Sequence, residues 1–293
     1  MARTAGSRLT APGSFRTTAV RRVPSGGSWQ NPDMTTNDPA GRGEVPVVLV
    51  HGNPETDAVW APVADRLGRP DVHRPNLPGF GCPVPDGFDA TKEAYVDWLV
   101  AWIDRLGRPV HLVGHDWGGA LTVRVAETRP DLLVSWCSDA VGLFHPEYVW
   151  HDLAQVWQTP GDGEAMVEAM SGLDPADAVA GFEALGIPTA QATEFVAALD
   201  DTMGDCVLRL YRSAVPDLMA PWLAALADAS RRPGLAVRAT DDPYTGDERL
   251  VVEAAGTAAA EVVTVDGLGH WWMLQDPDRA AALLTAWFAR YEA

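Results

Sequence analysis

The stretch Pro109-Val110-His111-Leu112-Val113-Gly114-His115-Asp116-Trp117-Gly118-Gly119 decides the fold. Its first five residues form an apolar run that predicts a short buried strand, and residues 120–126 are typical of a helix. The glycines at 114 and 118 suit a turn that is too tight for neighbouring Cβ atoms. The sequence therefore predicts a strand, a sharp turn and a helix, with Asp116 strained at the apex of the turn.

An aspartate at this apex favours attack on an alkyl carbon. A serine would form an ether with such a carbon, and the enzyme could not hydrolyse that ether afterwards. A carboxylate forms an ester instead, and water can cleave an ester at its carbonyl carbon. The alternative interpretation is that Asp116 only caps the helix, because Asp is a common N-cap residue.

Composition excludes several classes of function. The net charge of −18 argues against nucleic acid or an anionic membrane as a partner. No apolar run approaches the roughly 18 residues that a membrane span needs. Three scattered cysteines show neither metal-site spacing nor a disulfide framework. We expect a cytoplasmic protein without metal or cofactor, whose partners are a small apolar substrate and water, and whose oligomeric state cannot be read from the sequence.

From about residue 45 the chain alternates apolar strand runs with amphipathic helices, which predicts a parallel sheet covered on both faces. We expect strands at residues 47–50, 72–75, 109–113, 132–137, 235–239 and 261–265. Residues 143–232 contain no further buried strand and are typical of short helices separated by Pro and Gly. The predicted organisation is a core of residues 44–142 and 233–293 with a helical lid at 143–232.

Residues 1–43 are expected to form a disordered or irregular segment. Residues 1–33 hold five Arg and a single acidic residue, with no apolar periodicity. They are interpreted as a tail, as residues upstream of a true start at Met34, or as a transit peptide. Thr17 to Val23 is a weak candidate for an early strand.

Three motifs follow predicted strands. His51-Gly52-Asn53-Pro54 comes directly after the run at 47–50, and Asp241-Asp242-Pro243 comes after the run at 235–239. Gly267-Leu268-Gly269-His270-Trp271 lies between the last strand and the final helix. A carboxylate at the end of the 235–239 strand can orient His270 and stabilise its imidazolium form.

With these motifs in this order, residues 45 to 292 resemble the α/β-hydrolase superfamily, in which the turn at Asp116 is the nucleophile elbow. An Asp nucleophile resembles the branch that holds epoxide hydrolases and haloalkane dehalogenases. The resemblance implies a mostly parallel sheet with helices on both faces and an inserted helical lid. It also implies Asp116 as nucleophile and His270 as base, with Asp242 as the acid that orients the base.

Other site residues are implied by the same resemblance. Asp241, as a neighbour of Asp242, and Asp139, after the preceding strand, are alternatives for the acid. The backbone N–H groups of Asn53 and Trp117 are expected to form the oxyanion hole. The remaining histidines are interpreted as structural or surface residues: His51, His73, His111, His115, His145 and His151.

The leaving group separates the two reactions of this branch. Epoxide hydrolases donate a proton from lid tyrosines, and Tyr211 resembles one of them, although it could be a packing residue. Tyr148 is the other lid tyrosine considered as a donor, but it lies earlier in the chain than the usual partner of such a tyrosine. Dehalogenases hold a halide with a Trp indole and an Asn side chain, which Trp117 and Asn53 would supply. Trp117 suits both reactions and Asn53 favours the dehalogenase, whereas the Glu after Pro54 departs from the dehalogenase pattern.

We expect hydrolysis through an aspartyl ester, with an epoxide opened to a diol as the first hypothesis. Haloalkane dehalogenation, which releases halide and alcohol, is the alternative. A non-catalytic scaffold that binds a small ligand is a further alternative, although such a binder has no need of an ordered Asp, Asp and His set. An ordinary esterase is disfavoured because the elbow lacks serine.

Overall fold

The computed structural model describes residues 44–292 and contains one six-stranded sheet in which every strand pair is parallel. The strand order is β2-β1-β3-β4-β5-β6. The strands are β1 (Val47–Val50), β2 (Val72–His73), β3 (Val110–Gly114), β4 (Leu133–Ser138), β5 (Gly234–Ala239) and β6 (Glu261–Val265). The parallel α/β sheet predicted from the sequence is confirmed. The irregular segment expected at 1–43 and the strand candidate at 17–23 lie outside the described residues.

Burial on both faces explains why the central strands are apolar throughout. All residues of β1 and β3 are buried, because helices cover the two faces of the sheet. Val48 and Val50 pack on the face that carries α2 (Lys92–Asp104) and α3 (Trp117–Thr128). The alternate side chains Val47 and Leu49 pack on the opposite face with α1 (Ala61–Leu67) and α12 (Pro277–Phe288).

The register of the sheet brings the loops of the site together. Val50 lies beside Gly114, which lies beside Ser138, which lies beside Ala236. The carboxyl ends of β1, β3, β4 and β5 therefore meet at one edge. In open parallel sheets, ligands bind in the crevice at this edge.

One predicted helix is divided in two. Trp60, Val63 and Leu67 have helical spacing, which predicts a single helix over 57–67, but the structure has a 3-10 turn at Asp57–Trp60 followed by α1. A continuous helix would need the N–H of Pro62 to bond to Ala58, and proline has no N–H. Pro62 instead lies in the first turn of α1, where no intrahelical acceptor is required.

Between β4 and β5 the chain is helical. The helices there are α4 (Asp152–Gln158), α5 (Asp162–Ser171), α6 (Pro175–Ala184), α7 (Thr189–Ala198), α8 (Asp201–Arg212) and α9 (Pro216–Ala225). We call residues 139–233 the insertion. Its function as a lid domain stays a prediction. The chain then continues through α10 (Glu248–Thr257) and the short α11 (Trp272–Gln275). Among residues 44–292, no helix is long and apolar enough to cross a membrane.

Candidate active site

Asp116 lies at the turn between β3 and α3, with φ 51° and ψ −121°. Residues other than glycine rarely adopt this backbone conformation. The turn also requires glycine two residues before and two residues after Asp116. A Cβ at Gly118 would overlap the carbonyl oxygens of Val50 and His51, and one at Gly114 would overlap the backbone of Gly118. The Asp116 side chain makes no capping hydrogen bond to α3. The capping interpretation is therefore wrong, and the strain serves to present the carboxylate at the edge of the sheet.

The loop after β1 holds one oxygen of this carboxylate. The backbone N–H of Asn53 donates to Asp116 Oδ1 over 2.9 Å. Gly52 allows the approach, because a Cβ there would overlap the Asp116 side chain. Trp117 begins α3, so its N–H belongs to a helix turn that lacks intrahelical acceptors. Asn53 thus supplies one expected oxyanion donor, and the second donor, Trp117, stays a prediction.

His270 lies between two carboxylates. Its Nδ1 is 2.9 Å from Asp242 Oδ2, and its Nε2 is 3.9 Å from Asp116 Oδ2. Burial by itself lowers the pKa of His270, but the charge and hydrogen bond of Asp242 outweigh it and leave that pKa raised. Burial likewise tends to raise the pKa of Asp242, yet His270 and the Tyr244 N–H lower it on balance. The nucleophile, base and acid candidates are therefore adjacent, with the acid oriented toward the base.

The two alternative acids have other partners. Asp139 accepts the backbone N–H of Asp116, the indole N–H of Trp272 and a bond from His115. Asp241 is exposed and accepts the Thr240 hydroxyl. Neither carboxylate is bonded to His270, because Asp242 already occupies its Nδ1. The structure therefore contradicts both Asp139 and Asp241 as the acid that orients His270.

Three polar side chains converge beside Asp116. Both polar atoms of the Asn53 amide and the Trp117 Nε1 are buried and have no hydrogen-bond partner among residues 44–292. The ring of Tyr211 lies 5.5 Å from that of Trp117, at an interplanar angle of 86°. Burial and then the Asp116 charge raise the pKa of Tyr211 well above its ordinary range, while the Asn53 and Trp117 side chains act in the opposite direction. Tyr211 is therefore a neutral phenol that lies close to the Asn53 and Trp117 side chains.

Tyr148 does not join this group of donors. Its hydroxyl donates to the backbone carbonyl of Tyr244 over 2.7 Å. Burial raises the pKa of Tyr148, with further contributions from Asp116 and Asp242, so the residue lies near the site as a neutral phenol. Because its proton is already engaged, Tyr148 is not available as a second tyrosine donor. It instead supports the loop that carries Tyr244.

A buried ionic cluster under the site was missed from the sequence. His115 Nδ1 lies 2.6 Å from Asp139 Oδ2, and His115 Nε2 lies 3.5 Å from Glu55 Oε1. Glu55 also accepts the Gly52 N–H at 2.6 Å and the Trp271 indole N–H at 3.0 Å. The cluster of Glu55, His115 and Asp139 therefore links the loops after β1, β3 and β4 to the loop that carries the base.

Electrostatics identify His115 as the positive member of this cluster. Burial opposes its charge, but Asp139, Glu55 and Asp116 together raise the pKa of His115 to about 10. Its ring centroid lies 4.5 Å from that of His270. His115 comes one residue before the nucleophile candidate, and this position was the available sequence signal. It was overlooked because all the other histidines were interpreted as structural or surface residues.

Metal chemistry is not indicated by the side chains described. In residues 44–292, no group of three or more His, Cys, Asp or Glu side chains is arranged to hold a metal ion. Two carboxylates near Asp116 are instead paired with histidines, Asp139 with His115 and Asp242 with His270.

Comparison with known proteins places the chain in a family. The sequence profile of the alpha/beta hydrolase family matches residues 47–283. The chain belongs to the alpha/beta hydrolase family, which the fold, the elbow and the order of Asp116, Asp242 and His270 had indicated. The superfamily and the fold class predicted from the sequence are confirmed.

Individual relatives match parts of the chain. The chain is 29% identical over 170 residues to a haloalkane dehalogenase of Bradyrhizobium diazoefficiens, which covers 50% of this chain and 52% of that protein. It is 30% identical over 185 residues to the lipase LipV of Mycobacterium tuberculosis, covering 63% of this chain and 64% of that one. The chain therefore matches about half to two thirds of the length of these relatives.

Solved structures show the same fold. The haloalkane dehalogenase DbeA from Bradyrhizobium elkani superimposes with a TM-score of 0.66 and 22% identity, over 85% of this chain and 91% of that one. An E-2-(acetamidomethylene)succinate hydrolase superimposes with a TM-score of 0.66 and 20% identity, over 85% of this chain and 93% of that one. At these identities the likeness concerns the fold.

Proposed function

We propose that this α/β-fold hydrolase is a haloalkane dehalogenase, which forms an alkyl ester on Asp116 and releases halide and alcohol. One observation carries the proposal: the Asn53 amide and the Trp117 indole are buried beside Asp116 without hydrogen-bond partners in the described part of the chain. Buried polar groups normally have partners, and two converging N–H donors suit a halide ion. The dehalogenase relatives agree with this choice.

The first step is displacement of the halide. Asp116 Oδ1 is held by the Asn53 N–H, which leaves Oδ2 as the attacking oxygen. A bond forms between Oδ2 and the alkyl carbon while the bond from that carbon to the halogen breaks. The departing halide takes the electron pair and is stabilised by Asn53 Nδ2 and Trp117 Nε1. Removal of one such preorganised donor typically slows a reaction roughly 100- to 1,000-fold.

The second step is hydrolysis of the ester. The 3.9 Å between His270 Nε2 and Asp116 Oδ2 is too long for a hydrogen bond, so a water can lie beside both groups. His270 takes a proton from that water, and the hydroxide attacks Cγ of Asp116. Negative charge then develops on Oδ1, where the Asn53 N–H already donates. The bond between Cγ and Oδ2 then breaks, and the departing alkoxide takes the proton from His270 to become the alcohol. The Asp116 carboxyl group loses its remaining proton to solvent, which regenerates the carboxylate.

Epoxide hydrolysis is the second candidate, because Tyr211 also lies among these donors. Its buried phenol could protonate the oxygen of an opening epoxide ring, with the same ester on Asp116. We rank this reaction second because Tyr148 donates to the Tyr244 carbonyl, which leaves a single tyrosine at the site.

Trapping the ester tests both candidates. The His270→Ala variant should capture the alkyl group of 1-bromobutane on Asp116, measured by mass spectrometry of the intact protein and of its peptides. The wild-type protein should release bromide continuously, whereas the variant should release about one bromide per site. The exposed Asp241→Asn variant is the matched control and should behave as wild type.

The leaving group is assigned by a substrate panel. Bromide release from haloalkanes without diol formation from styrene oxide supports the dehalogenase, and the Tyr211→Phe variant should retain most of that release. Diol formation that is lost in Tyr211→Phe supports the epoxide hydrolase. Absence of any adduct on Asp116 with either class would exclude the ester mechanism, and turnover of an aryl ester alone would indicate an esterase.

A further inference from the structure

The carboxylate that orients the base has a third partner, the hydroxyl group of Thr245. One oxygen of Asp242, Oδ1, accepts the Tyr244 N–H over 2.7 Å. The other oxygen, Oδ2, lies 2.9 Å from His270 Nδ1 and accepts the Thr245 hydroxyl over 3.1 Å. Two donors therefore share the single oxygen through which Asp242 acts on the base.

Packing holds the Thr245 hydroxyl in this place. Thr245 is buried, and a Cβ at Gly142 would overlap its carbonyl oxygen, so the segment after β4 lies directly against it. The preceding residue is fixed as well, because Tyr148 donates to the Tyr244 carbonyl. Only 3% of the Asp242 side chain is exposed, so water has little access to replace the hydroxyl as a donor.

We propose that Thr245 is a positioning residue that acts on the base through Asp242: by donating to Oδ2, it limits how strongly that oxygen holds the protonated form of His270. A hydrogen-bond donor stabilises the ionised carboxylate, which then depends less on the imidazolium for its stability. The base therefore gives up its proton more readily and is free to accept the next one from water. The role of His270 as the base rests on the proposed function.

Other charged and titratable groups face His270 from the surrounding loops. Three carboxylates favour its protonated form, and they belong to Asp116, Asp242 and Glu55. The positive charge of His115 opposes them from a ring-centroid distance of 4.5 Å, and His151 of the insertion acts in the same direction as His115. The ring of Tyr244 lies 4.9 Å from that of His270. The balance of these groups leaves the pKa of His270 above its ordinary value.

Removal of the hydroxyl tests the direction of this effect. Among residues 44–292, only the side chains of Thr245 and His270 bond to Asp242 Oδ2. The Thr245→Val variant has nearly the same shape and leaves His270 as the single partner of that oxygen. The pKa of His270 should therefore rise by about 0.5 to 1 pH unit, which is equivalent to one neutral hydrogen bond. If Thr245 only held Asp242 in place, the pair would loosen and the pKa of His270 would fall.

The pKa of His270 can be measured without any substrate, by NMR of the ring nitrogens in protein labelled with 15N-histidine, with His270→Ala used to assign the signals. Thr245→Ser keeps the hydroxyl and should keep the wild-type pKa. The matched control is Thr240→Val, because the Thr240 hydroxyl donates to Asp241, which is not bonded to His270. A pKa of His270 that is unchanged or lower in Thr245→Val, or that rises equally in Thr240→Val, would overturn the proposal.

Turnover separates this inference from the proposed function. With 1-bromobutane, the acid limb of kcat should move to higher pH in Thr245→Val, in the same direction as the pKa of His270. Formation of the ester on Asp116, followed by rapid-quench mass spectrometry, does not use the base and should keep its rate. A raised pKa of His270 without any adduct on Asp116 would count against the ester mechanism alone. An adduct on Asp116 with an unmoved pKa of His270 would count against the role of Thr245 alone.

Discussion

Replacement of His115 by Gln should make the protein less stable and remove a pH dependence. His115 is fully buried and lies against Asp139 and Glu55, so its charge compensates two carboxylates that have no access to water. Removing one member of a buried ionic group typically costs about 3 to 5 kcal/mol, because the opposite charges remain buried. We expect a loss of this size in the free energy of unfolding at pH 7.

The pH dependence of the free energy of unfolding follows from the raised pKa of His115. The pKa of His115 is raised from 6.5 to about 10, so the folded protein keeps a proton that the unfolded chain loses in this interval. The contribution is complete below pH 6.5 and disappears as the pH rises through about 10. Between these values the free energy of unfolding should fall by about 1.4 kcal/mol per pH unit. Urea unfolding from pH 7 to pH 9 measures this slope.

The matched control is His111→Gln. His111 is also buried and lies on β3, the strand that ends just before His115, but burial lowers its pKa to about 4 and its Nδ1 faces the Ser135 hydroxyl at 2.7 Å. It is neutral in both states above pH 7, so its replacement should lower the stability without changing the slope. If His115→Gln keeps the wild-type slope, or if both variants lose it, His115 does not carry a buried charge.

Three further substitutions follow from the geometry. Asp242→Asn should lower the pKa of His270, so the acid limb of kcat, which includes ester hydrolysis, should move to lower pH while kcat falls at least about 100-fold; an unmoved limb in the pH profile of kcat would contradict the pairing. Gly118→Ala should destabilise the protein by about 1 to 3 kcal/mol in thermal or urea unfolding, because its Cβ would overlap backbone carbonyls; wild-type stability would show that the turn can relax. Tyr148→Phe should keep halide release within about threefold of wild type, because the hydroxyl donates to Tyr244 and one neutral hydrogen bond contributes little; a larger loss would place Tyr148 at the reacting centre.

The sheet was predictable because its strands are buried on both faces. Such strands are continuous apolar runs, and β1 and β6 have the bounds expected from the sequence. The second strand was expected at 72–75 but ends at His73. It is an edge strand that pairs with β1 over two residues, and Pro75 has no N–H to extend a ladder. The spacing of apolar residues does not indicate where the pairing of β2 with β1 ends.

The positions of the three candidate catalytic residues were predictable because each follows a strand at a fixed place in the chain. Asp116, Asp242 and His270 all lie at loops that the parallel sheet brings to one edge. The family resemblance favoured Asp242 over Asp139 as the acid, and side-chain geometry shows which of the two contacts His270. Both aspartates come after a strand, and the structure separates them by their partners, His270 and His115 respectively.

Contacts that join distant loops could not be predicted in the same way. Glu55 and Trp271 are 216 residues apart and meet only because the loops after β1 and β6 are adjacent in the folded protein. A buried Glu next to a proline has no periodic signal. The same is true of the Asn53 amide and the Trp117 indole. Within residues 44–292 they lack hydrogen-bond partners because of how the loops pack, which residue type does not reveal.

The two oxygens of Asp116 have different surroundings, and this difference supports a two-step reaction. Oδ1 accepts the Asn53 N–H, while Oδ2 is the oxygen nearer to His270. An ester formed at Oδ2 keeps its carbonyl oxygen at the donor that stabilises negative charge during hydrolysis. In the proposed dehalogenation, Asn53 would act twice, through its side chain on the departing halide and through its backbone on the oxyanion. The loop after β1 would then determine both which oxygen attacks and where charge is accepted in each step.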